Sequence, residues 1–236
     1  MSDKKIRAGC KDMWNAFMVK GANFSENGIP FCPTTAKEIP QALISYTEAR
    51  AIYNRQMKCG NKNFFVNALI HFYQDDYKFD GARCGIWVMP ERAAKIIRHF
   101  AGIITPDFST CLDFPFPLKI FNTYRMRAFG YWYGTLGGAV INNVRWGEKD
   151  TFCWCFDGIP HNSIVSIGTV ASGLRSSENR ELFELGFEKL LEMLKPHTII
   201  VYGSDKYSCF DSIRQKINIV NFQSECALAF EEKHYV

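Results

Sequence analysis

The 236-residue sequence contains no long apolar run and no segment that resembles a secretion signal. Its apolar stretches stay below the roughly 18 residues that a membrane-spanning helix needs. The N-terminus, MSDKKIRAGCKDMWNAF, lacks the apolar middle that a signal peptide carries. These absences predict a cytoplasmic protein with no membrane partner.

Sequence signatures of the common cofactor sites are also missing. The nine cysteines include no C-x-x-C pair, so the spacing of a four-ligand zinc site is absent, and we expect reduced thiols in a cytosolic chain. Neither G-x-G-x-x-G after the first predicted strand nor a Walker loop occurs, which argues against the usual nucleotide-binding folds. No His-x-x-His pair occurs, and we interpret His71, inside an apolar run, as a core residue.

The overall composition is that of a globular protein. Apolar residues make up 47% and charged residues 22% of the chain. The net charge of +4 permits a nucleic acid or a phosphorylated ligand as partner without requiring one.

Short apolar runs alternate with helical patterns along most of the chain. Continuous apolar runs such as FFVNALIHFY are typical of parallel strands that are buried on both faces. Predicted strands begin at residues 41, 64, 102, 139, 164, 198 and 217. The segment 151–156 fits either an eighth strand or a short helix. Predicted helices include 47–56, 91–100, 117–136 and 178–194.

This alternation implies right-handed βαβ crossovers and an α/β fold with a mostly parallel sheet. A (β/α) barrel or an incomplete barrel is the first prediction, and an open doubly wound sheet is the alternative. We expect residues 1–38 to form an irregular N-terminal cover and residues 39–236 to form a single α/β domain.

Several motifs occur in an order that resembles one protein family. They are HFYQDDYKF (71–79), ITPDFS (104–109), NTYRMRAFGYW (122–132), VRWG (144–147), FCWCFDGI (152–159) and IIVYG (199–203). Together they resemble the family catalogued as Domain of Unknown Function 4417, found in bacteria, their phages and mobile elements, over roughly residues 40–205. The resemblance implies a phage or mobile-element protein in a bacterial host cell and implies no particular activity.

Three aspartates follow two successive predicted strands. Asp75 and Asp76 come after the second strand and Asp107 after the third, so their carboxylates would face one mouth of a barrel. When carboxylates lie close together, the pKa of one rises, so one can act as a general acid and another as a base or nucleophile. These three aspartates are the predicted catalytic residues. Two alternatives stay open, namely that they cap a turn and a helix or that they hold a divalent cation such as magnesium.

Arg125 and Arg127 lie on a predicted helix beside Tyr131 and Trp132. Guanidinium groups next to aromatic rings can bind phosphates and stack on bases. The two arginines point to different faces because they are only two positions apart. In the alternative interpretation one arginine forms a structural ion pair with a carboxylate such as Asp107 or Asp113, and the aromatic residues belong to the core.

Loops after late strands supply further candidates for phosphate or substrate binding. Glycine-containing loops at 168–173 and 203–208 follow two predicted strands, and exposed backbone N–H groups in such loops often hold a phosphate. The candidates in these loops are Thr169, Gly173, Gly203 and Ser204, and the candidates after earlier strands are Ser109, Arg145 and Trp146. The glycines alternatively serve tight turns only.

These features favour a protein that acts on a nucleotide or nucleic-acid substrate. Cleavage or exchange at an N-glycosidic bond suits carboxylates combined with stacking aromatic residues. The alternative is a non-catalytic factor that binds nucleic acid or a host protein in replication or counter-defence. The sequence leaves the oligomeric state open.

Overall fold

In the part of the chain that the structure describes, seven parallel strands form a single sheet, in their order along the chain. The computed structural model describes residues 9–83, 85–170, 174 and 176–228. Each strand pairs in parallel with the next one, from the first to the seventh. The strands are β1 (Leu43–Ser45), β2 (Val66–His71), β3 (Phe100–Ile104), β4 (Val140–Asn143), β5 (Ile164–Gly168), β6 (Thr198–Tyr202) and β7 (Asn218–Phe222).

Helices connect the strands at most crossovers. They are α1 (Tyr46–Lys58), α2 (Pro90–Ile97), α3 (Phe116–Thr135), α4 (Ser177–Leu194) and α5 (Ser208–Asp211). Short 3₁₀ helices cover Ala16–Val19, Asp76–Lys78 and Lys149–Cys153. Within the described ranges, none of these helices has the length and apolar character that a bilayer crossing requires.

One open alternative is decided and one predicted boundary is wrong. Residues 151–156 form no eighth strand, because the 3₁₀ helix Lys149–Cys153 and a run of turns occupy this segment. The second long helix ends at Ile97 and not at residue 100, because Phe100 begins β3 and pairs with Val66 of β2.

The sheet is curled into a half-barrel, which confirms the predicted incomplete barrel. His71 of β2 and Tyr202 of β6 lie four strands apart in the sheet, and four strand spacings in a flat sheet would separate them by about 19 Å. Their ring centroids are only 4.2 Å apart. The Tyr73 ring also stacks on Tyr202, at 5.1 Å. Side chains on the inner face therefore meet across the barrel.

The strands place alternate side chains in two different layers. Along β2 and the two residues that follow it, Leu69, His71 and Tyr73 point into the barrel, whereas Ile70 and Phe72 pack in the core that the helices cover. The inner layer is completed by Ile104, Ile141, Ile164, Ile200 and Tyr202. Burial on both faces explains why the strands appear in the sequence as continuous apolar runs.

The segment before β1 packs at the amino ends of the central strands. Thr35 N–H donates to the Val140 carbonyl at 3.0 Å, and the Thr34 hydroxyl donates to the Ile164 carbonyl at 3.4 Å. Nearby, Phe17 packs edge-on against Trp132 of α3. This segment therefore lies at the end of the barrel opposite to the carboxyl ends of the strands.

Gly102 allows β3 and β4 to approach each other, and its replacement by alanine is expected to destabilise the fold. Its φ is +154°, and a Cβ would overlap the backbone carbonyl of Ala139. We expect Gly102→Ala to lower the free energy of unfolding by about 2–4 kcal/mol. Urea denaturation measures this change.

Gly137→Ala is the matched control, because Gly137 also has a positive φ, of +86°, but has open space around its Cβ position. That variant should lose only about 1 kcal/mol, the conformational penalty alone. Equal losses in the two variants would contradict the close strand approach.

Candidate functional site

A hydrogen-bonded network of polar side chains lies at the carboxyl ends of the central strands. Asp107 follows β3 by three residues, Asn143 ends β4, and Arg145 lies two residues further along the chain. Asn143 Nδ2 donates to Asp107 Oδ1 at 2.7 Å, and Arg145 Nη1 donates to Asp107 Oδ2 at 2.8 Å. Both carboxylate oxygens of a buried aspartate thus have a partner.

Tyr73 extends this network across the barrel. Its hydroxyl donates to Asn143 Oδ1 at 3.0 Å and lies 2.7 Å from Ser166 Oγ of β5. Asn143 and Ser166 point inward because the two-residue period of their strands directs them to the inner face. The network draws on the loops after β2 and β3 and on the strands β4 and β5, so the curl of the sheet is what assembles it.

Burial sets the electrostatics of the network. Burial raises the pKa of Asp107 above its ordinary value of 3.8, and Arg145 and Asn143 oppose this effect only in part. The charge of Asp107 raises the pKa of Arg145 in turn. Burial also raises the pKa of Tyr73 well above 10 and lowers the pKa of His71 to about 3. Tyr73 and His71 are therefore neutral in the physiological range, and the ion pair carries the charge.

A cavity of about 620 Å³, here called the mouth cavity, opens above the inner layer. Its lining residues are Ser45, Thr47, Glu48, Tyr73, Gln74, Asp75, Lys78, Asp107, Ser109, Arg145, Val170, Tyr202, Ser224, Glu225 and Cys226. Four of them are acidic and two are basic, so negative formal charge is in excess. Both basic groups are paired, Arg145 with Asp107 and Lys78 with Asp75 at 3.0 Å.

A smaller cavity of about 280 Å³, here called the lateral cleft, lies between the loops after β3 and β4 and the start of α4. It is lined by Asp107, Thr110, Cys111, Leu112, Asn143, Val144, Arg145, Trp146, Gly147, Ile167, Gly168, Asn179, Leu182 and Phe183. Asp107 and Arg145 line both cavities, so the ion pair stands between them.

The three predicted catalytic aspartates lie in different environments. Asp75 and Asp107 both line the mouth cavity. Asp76 holds the loop after β3, since its carboxylate accepts from Ser109 Oγ at 2.9 Å and from Ser109 N–H at 3.1 Å. The helix-cap alternative fails for Asp107, whose oxygens bind side chains, and the side chain of Asp75 makes no cap hydrogen bond.

The two predicted phosphate-binding arginines have structural partners. Arg125 pairs with Asp80 at 2.6 Å and lies 3.9 Å above the Phe108 ring, so its carboxylate partner is Asp80 and not Asp107. Arg127 is fully buried and donates to the backbone carbonyls of residues 143, 155 and 157. Neither arginine lines the two cavities described above.

The predicted aromatic residues separate into two groups. Tyr131 donates to the Lys20 carbonyl at 3.3 Å, and Trp132 packs on Phe17, so both face the N-terminal segment. Trp146 lines the lateral cleft and packs on Phe183 of α4, with ring centroids 5.1 Å apart. Of the three, only Trp146 lies beside the ion pair.

The late loops contact each other through Thr169. Its hydroxyl donates to the Ser204 carbonyl at 2.9 Å, and a Cβ on Gly203, whose φ is +111°, would crowd the same hydroxyl. The Ser204 hydroxyl accepts from Lys206 N–H. Gly173 lies outside the described residues.

Three residues of the network were missed by sequence reasoning, namely Tyr73, Asn143 and Ser166. The available signal was a polar side chain at an inward position near the end of an otherwise apolar strand, as in VINN and IVSIG. Such a buried polar group requires a partner, and the curl of the sheet supplies it.

Within the described ranges, no group of three or more His, Cys, Asp or Glu side chains is arranged to hold a metal ion. Each cysteine in that part of the chain is a free thiol. Burial raises the pKa of Cys32 to about 12, so this thiol stays protonated.

Comparison with known proteins finds relatives among phage proteins. The chain is 37% identical over 135 residues to the Gene 1 protein of Mycobacterium phage L5, an alignment that covers 57% of this chain and 56% of the relative. It is 35% identical over 139 residues to the Gene 1 protein of Mycobacterium phage D29, covering 58% of this chain and 49% of the relative. The chain thus spans about half the length of these curated relatives.

No solved structure matches the chain significantly. A family model matches residues 13–223, which include all seven strands and the complete network around Asp107. The protein therefore belongs to the family described as Domain of unknown function (DUF4417).

Proposed function

We propose that this protein cleaves the N-glycosidic bond of a nucleoside unit, either in a free nucleotide or in a nucleic acid. The observation that carries the proposal is the excess of carboxylates around the mouth cavity, with the buried Asp107 at its base. Cleavage of a glycosidic bond develops positive charge on the sugar, and a cavity of negative potential stabilises that charge.

The sign of the cavity favours a sugar over a phosphate at this position. An anionic group would have to displace a carboxylate from Arg145 or Lys78, since both cations are already paired. A ribose instead presents hydroxyl donors that Asp75, Glu48 and Glu225 can accept. The volume of about 620 Å³ lies within the range of small-ligand cavities.

In the proposed reaction the C1′–N bond breaks and its electron pair goes to the leaving base. A water molecule adds its oxygen to C1′ and gives one proton to a carboxylate, and its other hydrogen stays on the new C1′ hydroxyl. The leaving base takes up one proton from solvent, and the carboxylate later releases its proton to solvent, so the protons balance. We assign the role of general base, which activates this water, to Asp75, whose side chain is exposed at the mouth. Asp107 stabilises the developing positive charge, because Asn143 and Arg145 hold its carboxylate in place. Asp76 is a positioning residue that acts through Ser109.

The family relationship supports a phage setting for this activity. Both curated relatives described above are phage proteins, and phage replication offers nucleotides and nucleic acids as substrates. The rival proposal of a non-catalytic binding factor would be favoured by an exposed apolar patch away from the strand ends and by carboxylates held in helix caps. Asp107 is held by Asn143 and Arg145 and not by a helix cap.

The test is release of free base by the purified protein. The four ribonucleosides, the deoxyribonucleosides, their monophosphates and a single-stranded oligonucleotide are incubated with the protein, and the bases are separated by chromatography. We expect release from at least one of these substrates, and we expect Asp75→Asn to slow it about 100-fold.

Asp211→Asn is the control, because Asp211 is an exposed aspartate that lines neither cavity. It should keep wild-type turnover. Absence of base release from every substrate, or equal rates in the two variants, would contradict the proposed function.

A further inference from the structure

We infer that the lateral cleft is a base-binding subsite, so that a nucleoside unit lies across the ion pair with its sugar in the mouth cavity and its base on Trp146. This inference rests on the proposed function and names the part of the substrate that the mouth cavity leaves unassigned. Because Asp107 lines both cavities, a ligand that occupies both would bring its glycosidic bond next to this carboxylate.

The Trp146 ring is fixed in a position that suits stacking. Phe183 packs against it, and α4 approaches so closely that a Cβ on Gly186 would overlap the indole ring. The side chain is nevertheless only partly buried and lines the cleft. A rigid, partly exposed aromatic ring loses little entropy when a base stacks on it.

Thr110 provides a second observation that points to a ligand. The residue is 3% exposed and lines the cleft, and in the described part of the chain its hydroxyl has no hydrogen-bond partner. A buried hydroxyl without a partner destabilises a protein. A heteroaromatic base carries donors and acceptors on its edge and would satisfy this hydroxyl.

Lys119 of α3 holds the walls of the lateral cleft in place. Lys119 is 3% exposed and donates to the Leu112 carbonyl at 3.0 Å and to Glu148 at 2.9 Å. It thereby ties the loop after β3 to the loop after β4. The cleft is therefore preorganised by a buried cation that does not face the ligand.

The experiment compares the binding of a nucleoside with that of its parts. Ligand-observed NMR, which detects millimolar affinity, measures the Kd of each ribonucleoside, of ribose and of a single-stranded oligonucleotide for the wild-type protein and its variants. We expect a nucleoside to bind about tenfold more tightly than ribose. Trp146→Leu should remove that advantage and leave ribose binding unchanged, whereas Trp146→Phe should keep most of it.

Thr110→Val separates a ligand contact from a structural role. It should weaken nucleoside binding about fivefold and at the same time raise the Tm, because it removes a buried hydroxyl that lacks a partner. Thr123→Val is the matched control, since Thr123 is equally buried but lines neither cavity and contacts the Lys119 carbonyl. That variant should leave nucleoside binding unchanged.

Each further outcome has a defined meaning. Equal binding of nucleoside and ribose, or a Trp146→Leu variant that weakens both equally, would overturn the base subsite while base release could still support the proposed function. A wild-type protein that binds none of the three ligands, nucleoside, ribose or oligonucleotide, would overturn both proposals. If nucleosides bind more tightly than ribose, the ligand is a free nucleotide unit. If only the oligonucleotide binds, and Trp146→Leu weakens its binding, the ligand is a unit within a strand. Either result supports the subsite.

Discussion

Replacement of Arg127 by leucine is expected to lower the free energy of unfolding by about 3–5 kcal/mol. The side chain is fully buried, and its guanidinium donates to three backbone carbonyls, at 2.8 Å for Asn143, 3.2 Å for Asp157 and 3.3 Å for Cys155. Leucine would leave all three carbonyls without this donor in the interior, and each such group costs about 1–3 kcal/mol. Urea denaturation, followed by tryptophan fluorescence, measures the change.

Two further variants test this explanation. Arg127→Lys should recover little stability, because an ammonium group lacks the planar fork that reaches three carbonyls. Arg214→Leu is the surface control, because Arg214 forms exposed pairs with Asp205 and Asp211 and should change stability only slightly. A loss in Arg127→Leu as small as that of the control would show that these carbonyl contacts contribute little.

Asp107→Asn is expected to slow base release about 10²–10⁴-fold while the protein remains folded. Asparagine keeps the shape of the side chain but removes the charge that stabilises the sugar in the proposed reaction. Asparagine can offer only one oxygen to the two donors that bind the carboxylate, Asn143 Nδ2 and Arg145 Nη1, and Arg145 loses its ion-pair partner. Burial raises the pKa of Asp107, and the variant avoids that cost of burying a charge, which offsets part of the loss. We therefore expect a loss of stability of about 1–3 kcal/mol near neutral pH beside the large loss of activity.

The stability difference between this variant and the wild type should depend on pH in one direction. The pKa of Asp107 is higher in the folded protein than its ordinary value of 3.8, so the folded state binds the proton more tightly than the unfolded state does. The contribution of Asp107 to stability therefore falls as the pH rises from about 3.8 to the raised folded pKa and is constant above it. Asp107→Asn removes this contribution.

Urea midpoints measured between pH 3.5 and 7, starting below the ordinary value of 3.8, give the difference in unfolding free energy between variant and wild type. The difference should shift in favour of the variant as the pH rises. Asp80, whose pKa is also raised by burial, is common to both proteins and cancels in the comparison. A constant difference across the range would show that burial does not govern the titration of Asp107.

The strands were predictable from the sequence because their burial on both faces leaves a strong pattern. Predicted and observed starts agree within two residues, for example 64 against Val66 for β2 and 217 against Asn218 for β7. The helix boundary before β3 was not predictable. Phe100 continues the apolar stripe of α2, and the same side chain is equally suited to the core as the first residue of a strand.

The candidate site was predictable only in part. Parallel strands bring their carboxyl ends to one edge, which explains why Asp75 and Asp107 line one cavity. The partner of Arg125 could not be predicted, because a helical pattern gives the face of a helix but not its rotation relative to distant loops. Tyr73 was missed for a related reason, since its contacts with Asn143 and Ser166 exist only after the sheet has curled.

The contact between His71 and Tyr202 has a consequence for the width of the site. In a closed barrel the diameter is determined by strand number and stagger, through a continuous ring of backbone hydrogen bonds. Here the two rings span the interior between β2 and β6 at 4.2 Å, and in the described residues β7 and β1 are not paired. The aperture above them is thus governed by side-chain size, and relatives with smaller or larger residues at these two positions would admit differently sized ligands on the same backbone plan.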